Sequence, residues 1–172
     1  MLLNAAIGLA RRGMAIFPCR ARGKEPATYH GVKDATKDQN VIRGWWGADP
    51  NFNIGLATGT PSGVFALDID GIEAEGELHK IEAEHGFLPP TVESITGRGR
   101  HCLFQMPAGA KITNSAGKIA AGIDVRGTGG YILAPPSIHP SGRAYIWSVD
   151  STRAFALNVP LSLMIRADEM IE

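Results

Sequence analysis

The sequence predicts an α+β fold in which a mixed sheet is covered mainly on one face by a few helices. From residue 53 onward the chain breaks into short β-prone runs separated by glycine-rich and proline-rich turns. Helical periodicity is confined to a few segments that do not alternate with strands, as a regular βαβ winding would require. The 172 residues, 44% of them hydrophobic, suffice for one domain with a substantial core, here residues 1–172, and are too few for two full-sized ones.

In chain order, residues 2 to 12 place Leu2, Leu3, Ala6, Ile7, Leu9 and Ala10 at helical spacing, and Gly13 stops the run. An amphipathic helix therefore opens the chain. Met14-Ala15-Ile16-Phe17-Pro18 reads as a short strand, followed by a basic loop carrying Arg20, Arg22 and Lys24 among Gly23 and Pro26. Asp38 is placed to N-cap a helix through Val41, Ile42, Trp45 and Trp46 that stops near Gly47 and Pro50, with both tryptophans used in packing. Ile54-Gly55-Leu56-Ala57 and the run from Val64 to Asp70, parted by Thr58-Gly59-Thr60-Pro61-Ser62-Gly63, read as a β-hairpin. Leu78 and Ile81 lay a thin apolar stripe along a polar helix at residues 72 to 86, whose charges, with His79 and His85, form a solvated face. Further strands are expected at residues 91 to 95, 101 to 105, 119 to 125, 131 to 134 and 144 to 147, and a helix at 160 to 172.

Seventeen basic residues balance 17 acidic ones, so the whole-molecule field that draws strongly basic proteins onto nucleic acid is absent and any such contact must be local. Cys19 and Cys102 lie far apart in the chain and form no Cys-x-x-Cys pair, which points away from structural zinc and from a disulfide framework and towards a reducing cytoplasm. The apolar start has no basic region ahead of it and is followed by Arg11-Arg12, and no apolar run reaches bilayer length. A soluble protein without a membrane partner is expected.

Three stretches carry the chemistry. Asp68 and Asp70 are two apart at the end of an apolar strand, so alternation sends both carboxylates to one face. Such a pair either calls for a cation or simply begins a turn. Thr96-Gly97-Arg98-Gly99-Arg100-His101 is a glycine-rich basic turn: its amides can approach an anion closely, and Arg98, Arg100 and His101 can hydrogen-bond phosphate oxygens. Asp124, between Ile123 and Val125, points away from the apolar side and can converge on the first two aspartates, just ahead of the turn Gly127-Thr128-Gly129-Gly130. Three carboxylates make a plausible site for two magnesium or manganese ions. Lys24 can also reach a phosphate, while His139 reads as a turn-fixing residue.

In this order the motifs Leu67-Asp68-Ile69-Asp70, Thr96-Gly97-Arg98-Gly99-Arg100-His101 and Ile123-Asp124-Val125-Arg126-Gly127 resemble the bifunctional primase-polymerase domain of the archaeo-eukaryotic primase superfamily, common in plasmid and phage replication proteins. Lys24-Glu25-Pro26, Asn53-Ile54-Gly55-Leu56-Ala57-Thr58-Gly59 and Ala134-Pro135-Pro136-Ser137-Ile138-His139 support the resemblance, which covers roughly residues 13 to 150. It implies a catalytic core related to an RNA-recognition-motif sheet, a smaller α/β N-terminal unit, and an active site in the groove between them. It further implies Asp68, Asp70 and Asp124 as metal-binding acids and His101 as a ligand of the incoming triphosphate, with Arg98, Arg100, Arg126 and Lys24 as further nucleotide contacts. Gly99-Arg100-His101 matches the family's small-x-His motif with glycine where serine is frequent. The implied activity is nucleotidyl transfer from nucleoside triphosphates onto a primer on a single-stranded DNA template, with a helicase as a possible partner. A polymerase unable to prime, and a silent single-strand-binding module, are the alternatives.

Overall fold

The computed structural model describes residues 1–148, so the expected C-terminal helix lies outside the described residues. The chain opens with α1 (Leu2–Arg11), which buries Ala6, Ile7, Leu9 and Ala10. Strand β1 (Ile16–Cys19) and a basic loop lead through a 3-10 turn at Gly31–Asp34 to α2 (Gln39–Ala48). Asp38 caps α2 as its residue type predicts, its Oδ1 accepting the N–H groups of Asn40 at 2.8 Å and Val41 at 3.4 Å. Trp46 is buried and donates its indole N–H to the Phe52 carbonyl at 2.9 Å, a packing role for that tryptophan.

Strands β2 (Asn53–Ala57) and β3 (Val64–Ile69) follow, then α3 (Ile72–His85), β4 (Val92–Ile95), β5 (Arg100–Gln105), β6 (Ser115–Ala120), β7 (Ile123–Arg126), β8 (Tyr131–Ala134) and β9 (Ile146–Trp147). They build two sheets, a three-stranded one in the order β1-β2-β8 and a six-stranded one in the order β6-β7-β3-β5-β4-β9, and every named pairing is antiparallel.

The sheets correct three expectations. First, β2 and β3 are not a hairpin. The turn between them does close, with Gly59 N–H donating to the Val64 carbonyl at 2.6 Å, but β2 is flanked by β1 and β8, and β3 by β5 and β7. Both strands have their two edges taken, so the chain crosses from one sheet to the other. Second, the single strand expected at residues 119 to 125 is itself a hairpin, because Gly122 at φ 75° allows a tight turn that sets Ala120 opposite Ile123. Third, the larger sheet is packed on both faces. Phe65, Leu67, Ile69, Cys102, Phe104, Ile123 and Val125 meet Ala74, Leu78 and Ile81 of α3. The alternate residues Val64, Ala66, Val92 and Leu103 join α1, α2 and the smaller sheet in a second core. No helix among the described residues is long and apolar enough to cross a membrane.

Candidate active site

Alternation along β3, β5 and β7 decides what meets above the larger sheet. On the face turned away from α3, Asp68 is the register partner of His101 on one side and of Asp124 on the other, and Arg126 sits opposite Ala66. His101 Nε2 lies 3.4 Å from Asp68 Oδ1, and Arg126 Nη2 lies 3.0 Å from Asp68 Oδ2 and 2.8 Å from Asp124 Oδ2. The other Asp124 oxygen accepts the Gly117 N–H at 2.8 Å, from the irregular stretch of β6. Burial works to raise the Asp68 pKa, but the hydrogen bond and charge of His101, then those of Arg126, outweigh it and hold the carboxyl at about 2. Asp68 is thus held ionised between the His101 ring and the Arg126 guanidinium.

Of these residues Asp68, His101 and Arg126 line a cavity of about 200 Å³, together with Lys24, Tyr131, Ile132, Leu133 and Tyr145. Lys24 and the β8 residues come from the smaller sheet and its loop, so both sheets contribute. Tyr131 donates its hydroxyl to the Lys24 carbonyl at 3.0 Å and so fastens the basic loop to β8. Tyr145 is buried and stacks on His101 with ring centroids 6.0 Å apart. Burial, then Asp68 and Asp70, pushes its hydroxyl up to about 12, so it stays a neutral donor. Sequence reasoning missed both tyrosines as site residues. Tyr131 directly follows the glycine-rich turn after the third motif and was legible there, whereas Tyr145 lies in a short segment with no local signal.

The remaining candidates divide. Asp70, just past β3, pairs with Arg98 at 3.5 Å, and both side chains are more than half exposed at the rim. Arg100 is not brought to the site. It is the register partner of Ile69, on the α3 face, where it pairs with Glu75 at 2.7 Å and Glu93 at 2.6 Å. The glutamates raise its pKa further, which marks a structural ion pair. His139 does fix a turn, its Nδ1 accepting the Ser141 N–H at 3.0 Å, but its ring also packs over Gly97 and against Tyr145. Burial and then Lys24 hold its pKa below the ordinary value, a sign of how many cations gather here. Arg143 ties the same segment to the basic turn by donating to the Gly97 carbonyl at 3.2 Å. A Cβ on Gly99 would run into the Ile69 carbonyl oxygen, so glycine in the small-x-His motif is set by backbone approach.

Among the described residues no group of three or more His, Cys, Asp or Glu side chains is positioned to share a metal ion. The donors of Asp68 and Asp124 nevertheless suit a hard divalent cation: two carboxylate oxygens converge on one cationic nitrogen. Comparison with protein-family models matches residues 6–161 to the N-terminal domain described as bifunctional DNA primase/polymerase, Prim-Pol. No curated protein matches the chain.

Proposed function

The chain belongs to the Prim-Pol family of bifunctional DNA primase/polymerase N-terminal domains, and from that premise we propose that its cavity performs template-directed nucleotidyl transfer from a nucleoside triphosphate. The observation that supports this reading best is the triplet of register partners His101, Asp68 and Asp124, the first two of which line, with Lys24 and Arg126, a cavity to which both sheets contribute. In this reading the larger sheet is the recognition-motif-like core, the smaller sheet with α1 and α2 is the N-terminal unit, and the cavity is the groove between them.

Asp68 and Asp124 would hold magnesium or manganese, with Asp70 at the rim as a further acid. Such ions would supply activation of the primer 3′-hydroxyl and charge neutralisation at the triphosphate. The protein's own work is positioning. His101, buried under Tyr145, offers an N–H with little freedom to turn away. Lys24, whose carbonyl Tyr131 holds, and Arg126 bring cations to the cavity, and Arg98 at the rim completes a cradle for phosphate oxygens. The partners are then nucleoside triphosphates and a primed single strand of DNA.

The test is to incubate labelled primer-template with manganese and nucleotides. Lengthening is expected. Shortening would indicate a nuclease, and retention without change a binding module, either of which overturns the reading.

A further inference from the structure

All four carboxylate oxygens of Asp68 and Asp124 are engaged. His101 takes Asp68 Oδ1 at 3.4 Å, the Gly117 N–H takes Asp124 Oδ1 at 2.8 Å, and a single Arg126 nitrogen takes both Oδ2 atoms at 3.0 and 2.8 Å. His101 is held by burial beneath Tyr145, and Gly117 reaches only Asp124, through its backbone N–H. Arg126 is different. Its side chain is 34% exposed, lines the cavity, and is long enough to rotate away without disturbing β7. It is the one partner whose departure frees an oxygen on each carboxylate at once.

We propose that Arg126 is a resident counter-ion that occupies the divalent-cation position in the nucleotide-free protein and transfers to the triphosphate when a nucleotide enters. Metal capture thereby becomes conditional on nucleotide. The inference rests on the metal-binding role proposed above for Asp68 and Asp124. Its physical basis is competition: a guanidinium and a divalent cation are both positive and seek the same two oxygens, so they cannot hold them together. A triphosphate offers the planar guanidinium a bidentate alternative of higher charge. Until it arrives, the bridge keeps two neighbouring carboxylates from facing each other unpaired. Linkage then requires metal and nucleotide each to raise the other's affinity by the same factor.

The experiment measures binding of manganese alone, by the loss of the free-ion electron paramagnetic resonance signal. The proteins are wild type, Arg126→Gln, Arg126→Lys and Arg126→Gln combined with Asp124→Asn, with folding checked by circular dichroism. Arg126→Gln should bind manganese roughly tenfold tighter than wild type, within the usual range of coupling between sites. Asp124→Asn should abolish that gain. A non-hydrolysable triphosphate should tighten manganese binding by wild type and do so much less for Arg126→Gln. A folded Arg126→Gln protein that binds manganese no more tightly than wild type, or an Arg126→Lys protein that gains as much as Arg126→Gln despite keeping the charge, overturns the counter-ion role while leaving the metal site standing. If none of the four proteins takes up manganese at millimolar concentration, the metal site itself fails, and this inference with it.

Discussion

At the scale of single residues, strand alternation makes the site legible, and it also explains the one candidate that is misplaced. Asp68, Asp124, Arg126 and His101 meet because each occupies the same phase of its strand. Arg100 precedes His101 directly, so within a strand the two must face opposite ways, and the phase that brings His101 in sends Arg100 out. The contact that brings Tyr145 to the site, its stacking on His101, comes from across the fold and left no trace in its neighbourhood. We expect Asp68→Asn and Asp124→Asn to lower primer extension by at least about a hundredfold, as loss of a preorganised charge does in other sites, while circular dichroism shows the fold intact. Extension close to wild type in either variant would remove the aspartates from catalysis. His101→Ala should raise the nucleotide KM about tenfold, the scale of one charge-assisted hydrogen bond, and leave template affinity unchanged by fluorescence anisotropy. The pH dependence has a definite sign. The folded-state pKa of Asp68, about 2, lies below its ordinary 3.8, so the ionised carboxylate stabilises the fold above about pH 4. That contribution, about 2 kcal/mol, disappears as pH falls towards 2. Urea titrations of wild type and Asp68→Asn should show their stability difference shrinking across that window.

At the scale of elements, helices were readable from periodicity and caps, and strands from their apolar runs, because both signals are local. Pairing was not, because a run such as Asn53–Ala57 specifies that it is a strand but not which edges it meets. The turn before Val64 does close as a hairpin turn would, yet its two strands leave for different sheets. The basic turn ahead of β5 is where an element's geometry governs the site, since Gly99 lies against the Ile69 carbonyl and Gly97 beneath the His139 ring. Gly99→Ala should therefore push β5 away from the end of β3, cost about 1–3 kcal/mol, and raise the nucleotide KM by moving His101 relative to Asp68. Full activity at unchanged stability would show that the turn relaxes freely. Arg100→Met is the complementary case. It leaves Glu75 without its bidentate partner, so stability should fall by roughly 2 kcal/mol while nucleotide affinity stays the same. A selective loss of nucleotide binding would return Arg100 to the site.

At the scale of the whole molecule, the zero net charge offers little general attraction for a polynucleotide, so template capture depends on a few local cations. The protein should accordingly extend a supplied primer better than it starts one, because initiation must assemble a template and two nucleotides with no duplex to hold them. Product formation on primed and unprimed strands at matched low salt checks this, and equal yields would contradict it. Composition announced that balance; connectivity it did not. Strand β8 closes the smaller sheet from far along the chain, pairing Ile54 with Ala134, and Asn53 and Ile54 are locked to the segment beyond by Asn53 Nδ2 donating to the Ile138 carbonyl at 2.8 Å and Ile54 N–H donating to Ser137 Oγ at 2.8 Å. This return sets the order of birth of the structure. As the chain leaves the ribosome, α1, α2, β1 and β2 emerge early with one edge of β2 unpaired, and they wait for β3 to β7 to be made before β8 arrives. Closing so long a loop is entropically expensive and slow. A nascent chain stopped at residue 128 should therefore remain open to protease in its first 60 residues, and one released at full length should gain protection there and in the larger sheet together.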